Sequence, residues 1–331
     1  MGLDELVDLA GEESFPASDT PGWSPTHLGP PASGGPSSRL YRDVVQGLTN
    51  DVALLSESIG ERNDRSDAAL LNLGRAADAI EARFHDARLP VRRRRVNEAA
   101  WNVEAIVRGG ASAAESVVVG AHYDTPRGSR GADDNASGVA MLIALAYALQ
   151  DARLERTVRL VAFAAEEPPH LGGDSTGSAR YLDDLRREGP HVSSMISLEG
   201  LGSLDAGARQ WPFCLVPLLR SDLVFVGDRR SRAMLTRAKR VFDSAGEDLV
   251  TTIVMRPLLF APMRTQSHYV FAREGIPAFM LTDTAPLRSL DYHRATDTSD
   301  RLDYGRLADV ESALERVVCD LARPTARALG A

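Results

Sequence analysis

Two hydrophobic rhythms alternate along the chain. Short apolar, β-branched runs at Asn102–Val107, Ser116–Ala121, Val158–Ala164, Ser194–Leu198, Leu223–Val226, Leu249–Met255 and Ala278–Thr282 have the length and residue choice of strands. Apolar residues recur at helical spacing over Val44–Gly60, Ala68–Arg88, Gly138–Gln150, Ser178–Arg187, Ser231–Ala245 and Tyr304–Ala322. Asp67 stands where the second of these helices needs an N-cap. From Trp101 onward strand and helix patterns take turns. That predicts an α/β fold with a mostly parallel, mixed central sheet flanked by helices. No repeat or linker interrupts the pattern after Arg39, so residues 39–331 read as a single domain.

Residues 1–38 have a different composition. Gly11–Ser38 is rich in Pro, Ser, Gly and acidic residues and too poor in apolar side chains to offset its ordering entropy. It is expected to be disordered or to lie extended. Ahead of it, Leu3, Leu6, Val7 and Leu9 make one amphipathic turn able to dock. The net charge of −8, with no dense Lys/Arg tract opposing it, argues against nucleic acid as a partner. Arg92–Arg95 is the strongest basic cluster, and between a helical pattern and a strand it reads as solvated surface. No apolar run reaches the length of a membrane span. The start, Met-Gly-Leu-Asp-Glu-Leu, lacks the basic and apolar regions of a secretory signal, and Leu6 removes the hydroxyl of a myristoylation motif. A cytoplasmic protein without a membrane partner is expected. Cys214 and Cys319 fit no Cys-x-x-Cys spacing, which excludes a cysteine metal site and leaves a single disulfide between them open.

Candidate chemistry gathers first in VVVGAHYDTPRGSRGADDNASG, Val117–Gly138. An apolar strand ends in His122-Tyr123-Asp124, at the end of the sheet where open α/β folds carry their sites. Strand residues two apart share a side, so the Asp124 carboxylate is placed to accept the His122 ring proton and orient a metal-binding imidazole. The alternative is a buried His–Asp hydrogen bond that only joins two loops. The Val158–Ala164 strand runs into Glu166-Glu167-Pro168-Pro169. Two adjacent buried glutamates need a nearby cation, and their opposite directions allow one to ligate metal while the other reaches water. A solvated loop is the competing reading. Ser194–Leu198 leads to Glu199, Thr265-Gln-Ser-His268 opens a short helix, and His293 lies in the polar Asp291–Thr298 segment. Together His122, Asp134, Glu167, Glu199 and His293 offer imidazole and carboxylate without thiolate, a donor set suited to catalytic zinc and acceptable to cobalt or manganese.

The order HYD, GADDNASG, AAEEP, SLEG, YHRATDT resembles the co-catalytic dizinc peptidases of metallopeptidase family M28. That family includes bacterial leucyl aminopeptidases, aminopeptidase Y and glutamate carboxypeptidase. The similarity extends from about Asp51 to about Leu321. It implies a zinc-exopeptidase fold with two Zn²⁺, one held by His122 and Glu199 and the other by Glu167 and His293, with Asp134 bridging. It also implies Glu166 as general base, Asp124 as the residue orienting His122, and a non-proline cis peptide after the bridging aspartate. Tyr292 matches a hydrogen-bond donor to the tetrahedral intermediate, and Asp297 a supporting acid. The chain departs from the family at Ser267, which replaces an aspartate, and at Arg294, which brings a cation near the cleft. It departs too in the longer Pro168–Gly177 segment and at Gly200, where relatives carry bulk.

The resemblance therefore implies a zinc-dependent exopeptidase, an aminopeptidase acting on peptide or aminoacyl substrates through a metal-bridging water. A dinuclear deacylase or carboxypeptidase-like hydrolase is the alternative, since Arg294 favours a carboxylate-bearing substrate. A one-zinc glutaminyl cyclase fits the full ligand set less well. A non-catalytic binding protein would be marked by loss of Glu166 or a ligand, and neither is lost.

Overall fold

The computed structural model describes residues 36–203, 221–245, 249–255, 267–283 and 289–323. The expected tail up to residue 35 and Cys214 lie outside the described residues. Contacts group the described residues from Leu40 onward into one compact unit.

Helix α1 (Pro36–Ala53) is followed by a π-helical turn and then by α2 (Asp67–Asp86). Ser66, not Asp67, caps α2: its hydroxyl accepts the Ala69 N–H at 3.1 Å, and Asp67 becomes the first helical residue. Both types satisfy an orphan helix donor, and the phase of the buried stripe decides between them. The strands are β1 (Val91–Arg95), β2 (Trp101–Val107), β3 (Ser112–His122), β4 (Arg156–Phe163), β5 (His191–Glu199), β6 (Leu223–Gly227), β7 (Thr251–Met255) and β8 (Ala278–Thr282). The remaining helices are α3 (Gly138–Leu149), α4 (Gly177–Glu188), α5 (Arg232–Asp243), α6 (Ser267–Arg273) and α7 (Tyr304–Leu321).

One eight-stranded sheet runs in the order β1-β2-β4-β3-β5-β8-β6-β7. The inner strands β4, β3, β5 and β8 are mutually parallel, while β1, β2 and β6 join antiparallel. This is the mixed, mostly parallel α/β sheet that the alternating pattern predicts. Each inner strand is buried on both faces. Val117, Val119 and Ala121 of β3 pack into the larger core with α1, α2, α3, α5 and α7, while Val118 faces the smaller core under α4 and α6. That placement explains the continuous apolar runs.

The Arg92–Arg95 run is not merely solvated surface. It forms the edge strand β1, paired antiparallel with β2. Arg94 is 7% exposed and donates to Glu104 Oε2 at 2.8 Å and Glu188 Oε2 at 2.9 Å. Long aliphatic stems let arginines cover a sheet edge while their heads find carboxylates supplied by other elements.

Candidate metal centre

The carboxyl ends of β3, β4 and β5 lie side by side. His122 pairs in register with Phe163, and Gly120 with Ser197, so the strands stop nearly level. His122 and Glu199 are the last residues of β3 and β5, and Glu166-Glu167 follow β4 after Ala165. Ala165 and His293 adopt left-handed backbone, with φ of 58° and 59°. Non-glycine residues hold that conformation mainly where surrounding structure enforces it, often at functional sites. The loop before α3 carries Asp134, and the Asp134–Asn135 peptide is cis.

The sequence-predicted ligands converge. His122 Nε2 lies 3.2 Å from Asp134 Oδ1 and 3.2 Å from Glu199 Oε2. His293 Nε2 lies 3.2 Å from the other Asp134 oxygen, Oδ2. Glu167 stands between the histidines, Oε1 3.8 Å from His122 Nε2 and Oε2 3.8 Å from His293 Nε2. Two groups of ligand atoms result, His122–Asp134–Glu199 and Asp134–Glu167–His293, sharing Asp134.

The chemistry of this donor set fits a cation. His122 Nδ1 is 3.0 Å from the Asp124 carbonyl oxygen. A proton on Nδ1 donates there and leaves Nε2 as a bare lone pair facing two carboxylates. Lone pairs at such distances repel unless positive charge stands between them. Asp134 Oδ2 and His293 Nε2 are buried and have no hydrogen-bond partner among the described residues. Burial disfavours a charged His122 ring, yet Glu199 and Asp134 hold its pKa well above the ordinary range. Burial also opposes ionisation of Asp134, but His122 and His293 hold it below the usual carboxylate range. Both shifts report a site that attracts positive charge.

Asp124 works differently from the sequence reading. Its carboxylate Oδ1 is 3.8 Å from His122 Nδ1, too far for a hydrogen bond, and the ring is oriented by the Asp124 backbone carbonyl instead. Oδ2 accepts the N–H groups of Glu166 and Glu167 at 3.0 and 2.9 Å. The parallel β3–β4 pairing brings those two unpaired amides directly over the carboxylate, which is the stronger demand. Asp124 thus shapes the glutamate turn.

Glu166 is 2% exposed and contacts none of the ligand atoms above. Its Oε1 accepts the Ser178 N–H at 2.6 Å near the start of α4, and its Oε2 accepts the Ser178 and Ser267 hydroxyls at 3.1 and 3.0 Å. Burial pushes its carboxyl up to about 8 against the Ser178 hydrogen bond. Tyr292 stacks on His293 with ring centroids 3.9 Å apart. Burial and then the Asp134 and Glu167 charges hold its hydroxyl well above the ordinary tyrosine range. Asp297 accepts the N–H groups of Asp133 and Asp134 at 2.8 and 3.1 Å, fixing the backbone of the shared carboxylate. Arg294 is exposed. Gly200 has a φ of 54°, so its lack of a side chain answers a left-handed backbone as well as any demand for space.

Two contributors were not singled out from the sequence. Asn135 donates to Leu198 O at 2.8 Å and Glu199 Oε2 at 3.3 Å, while its oxygen accepts Gly138 N and Gly200 N. Its place inside GADDNASG was the available signal. Arg62, fully buried, donates to the carbonyls of Tyr123, Leu55, Gly60, Arg130 and Gly131 beneath the site. Arg62 is one of two arginines in the polar segment Gly60–Asp67 and carries no local sign of that role.

An imidazole-and-carboxylate cluster at the ends of parallel strands makes this an α/β protein with a candidate metal site. Residues 102–318 match Peptidase family M28, and the chain belongs to that family of metallopeptidases. It is 32% identical over 289 residues to the protein called "Uncharacterized protein YfbL" of Escherichia coli (strain K12), covering 83% of this chain and 87% of that one. Its fold is similar to that of BSAP, a zinc aminopeptidase from Bacillus subtilis, with a TM-score of 0.65 at 14% identity over 83% of this chain and 94% of that one. It is similar also to Bacteroides thetaiotaomicron glutaminyl cyclase bound to N-acetylhistamine, with a TM-score of 0.62 at 16% identity over 85% and 97%. The fold alone therefore does not choose the reaction. No helix among the described residues is long and apolar enough to cross a membrane.

Proposed function

We propose that the chain is a dinuclear zinc aminopeptidase that removes N-terminal residues from peptides. His122 and Glu199 would hold one ion, Glu167 and His293 the other, with Asp134 between them. The observation that carries this reading is the division of the Asp134 carboxylate, each oxygen 3.2 Å from a different histidine Nε2. Zinc bound there supplies Lewis-acid polarisation of a carbonyl and acidifies water. A glutaminyl cyclase reading would leave one ligand group without use.

Glu166 takes the proton from the attacking water and passes it to the leaving amine. Its anchors, the Ser178 N–H and the Ser178 and Ser267 hydroxyls, restrict the carboxylate to one orientation. Asp124 holds the Glu166 and Glu167 amides, so base and ligand are placed by one group. The Tyr292 hydroxyl has no protein partner among the described residues and is free to donate to the developing oxyanion. The exposed Arg294 gives the carboxypeptidase-like alternative little support.

Metal analysis of the purified protein, paired with hydrolysis of aminoacyl amides and N-acylated amino acids, tests the proposal. Two zinc ions per chain with turnover of the aminoacyl amides is the expected result. Turnover confined to the N-acyl compounds identifies a deacylase, and a single ion with cyclisation of N-terminal glutamine identifies a cyclase. Either outcome overturns the aminopeptidase reading.

A further inference from the structure

The buried stripe of α7 includes Leu307, Val310, Glu311, Leu314, Val317 and Leu321. All but Glu311 are apolar, so helical periodicity sets a carboxyl on the face that packs against the domain. Glu311 is 6% exposed, with no hydrogen bond or ion pair among the described residues. Burial, with the Glu315 charge adding to it, pushes its carboxyl up to about 7. An unpartnered carboxyl in an apolar stripe lowers stability, and such breaks of local pattern mark functional positions.

Glu311 lines a groove of about 640 Å³ between α1, α3 and α7, within the size range of small-molecule sites. Leu48, Ile143 and Tyr147 supply apolar surface, and Asp43 and Glu315 add carboxyls. Arg83 is the one cation among the described lining residues, and it is committed to Asp51 at 2.7 Å. The last turn of α3 also lies here, and the negative end of its helix dipole adds to the negative potential. Gly47, inside α1, forms part of the wall, and a Cβ built on it meets nothing within 4 Å. Glycine is a poor helix former, and no close contact demands it. Its effect is to keep the groove open.

We propose that this groove is a second ligand site, apart from the metal centre, for a small primary ammonium carried on an apolar body. The ammonium pairs with Glu311, and the body lies on Leu48, Ile143 and Tyr147. A neutral ligand leaves the buried carboxyl unmatched, and an anion meets Asp43 and Glu315 as well.

Calorimetric titration of the full chain with phenethylammonium tests the site, with 3-phenylpropionate and 2-phenylethanol as anionic and neutral controls. The ammonium should bind saturably at about 1 mM, which a fragment of that size gains at ordinary ligand efficiency. The controls should not bind. Glu311→Gln should weaken binding by about tenfold through loss of a charge-assisted hydrogen bond. Gly47→Leu fills the groove, favours the helix and leaves Glu311 in place, and it should abolish binding. Ammonium binding that survives both substitutions unchanged resides elsewhere, at the metal centre above all, and overturns the proposal. Equal binding of the three probes, or no saturable binding to the folded protein, overturns it too. If Glu311→Gln does not fold, Gly47→Leu decides the matter alone.

Discussion

Replacing Arg62 by Met removes the support beneath the metal centre while roughly keeping side-chain volume. The guanidinium donates five hydrogen bonds to backbone carbonyls at 2.7–3.1 Å. The Leu55 and Gly131 carbonyls also accept from Gly60 N and Ala136 N, at 3.0 and 3.1 Å, and keep a donor. Those of Tyr123, Gly60 and Arg130 have no second donor among the described residues. A buried acceptor left unsatisfied costs about 1–3 kcal/mol, so these carbonyls together amount to about 3–9 kcal/mol. The opposing effect is the desolvated cation itself. Burial brings the Arg62 pKa down to about 10, while Asp124, Asp297 and Asp134 attract the charge. Removing a partly compensated cation returns some stability, which leaves a net loss of about 4 kcal/mol. That is a large share of the ~5–15 kcal/mol that holds a domain folded. At ~2–4 °C per kcal/mol for a large domain, Tm falls by about 10–15 °C. Thermal and urea denaturation measure the loss, and metal analysis should show weaker zinc retention because Tyr123, next to His122, and Gly131, ahead of Asp134, are held by this side chain. Arg62→Lys keeps the charge but cannot span carbonyls on separate loops, so about half the loss is expected. A Met variant melting within about 2 °C of the wild type would refute the reasoning.

The remaining predictions concern the site and its surroundings. Glu166→Gln should retain zinc while kcat falls about 10³-fold, whereas Glu167→Gln should shed zinc; metal content and steady-state rates distinguish them, and the reverse pattern exchanges the two roles. Asp297→Asn leaves one acceptor oxygen for two N–H groups, at 2.8 and 3.1 Å in the native protein, and zinc affinity by competition with a chelator should drop about tenfold. Burial brings the His268 pKa down from 6.5 to about 4, so its neutral form is preferred in the folded state. The stability this gives is present above pH 6.5 and is lost as pH falls toward 4, by about 3 kcal/mol. Urea denaturation of His268→Gln should show that much less acid sensitivity between pH 7 and pH 4, and an unchanged acid profile would assign the sensitivity to other groups.

Much of the site was legible because its signals are local. His122, Glu166-Glu167 and Glu199 each end an apolar strand, and a strand can be recognised from a handful of residues. Asp134 and His293 join that donor set by residue type, while their roles and the cis Asp134–Asn135 peptide follow from the resemblance in GADDNASG and YHRATDT. The β1 arginines look like surface in the sequence because a strand whose burial comes from cross-strand carboxylates has no apolar alternation to betray it. Ser66 and Asp67 are indistinguishable as caps in the sequence because both are good N-caps.

The sequence by itself determined the succession of strands and helices and the donor types at the strand ends. Those properties depend on period, residue chemistry and neighbours within a few positions. Only the tertiary structure decided which Asp134 oxygen faces which histidine, that Asp124 turns its carboxylate to the glutamate amides, and that Arg62 lies under both loops. It also decided that Glu311 opens on a groove instead of meeting a partner. These contacts join residues far apart in the chain, and their geometry follows from strand order and helix packing. Hydrophobic periodicity constrains each element's buried face but not which element will lie against it.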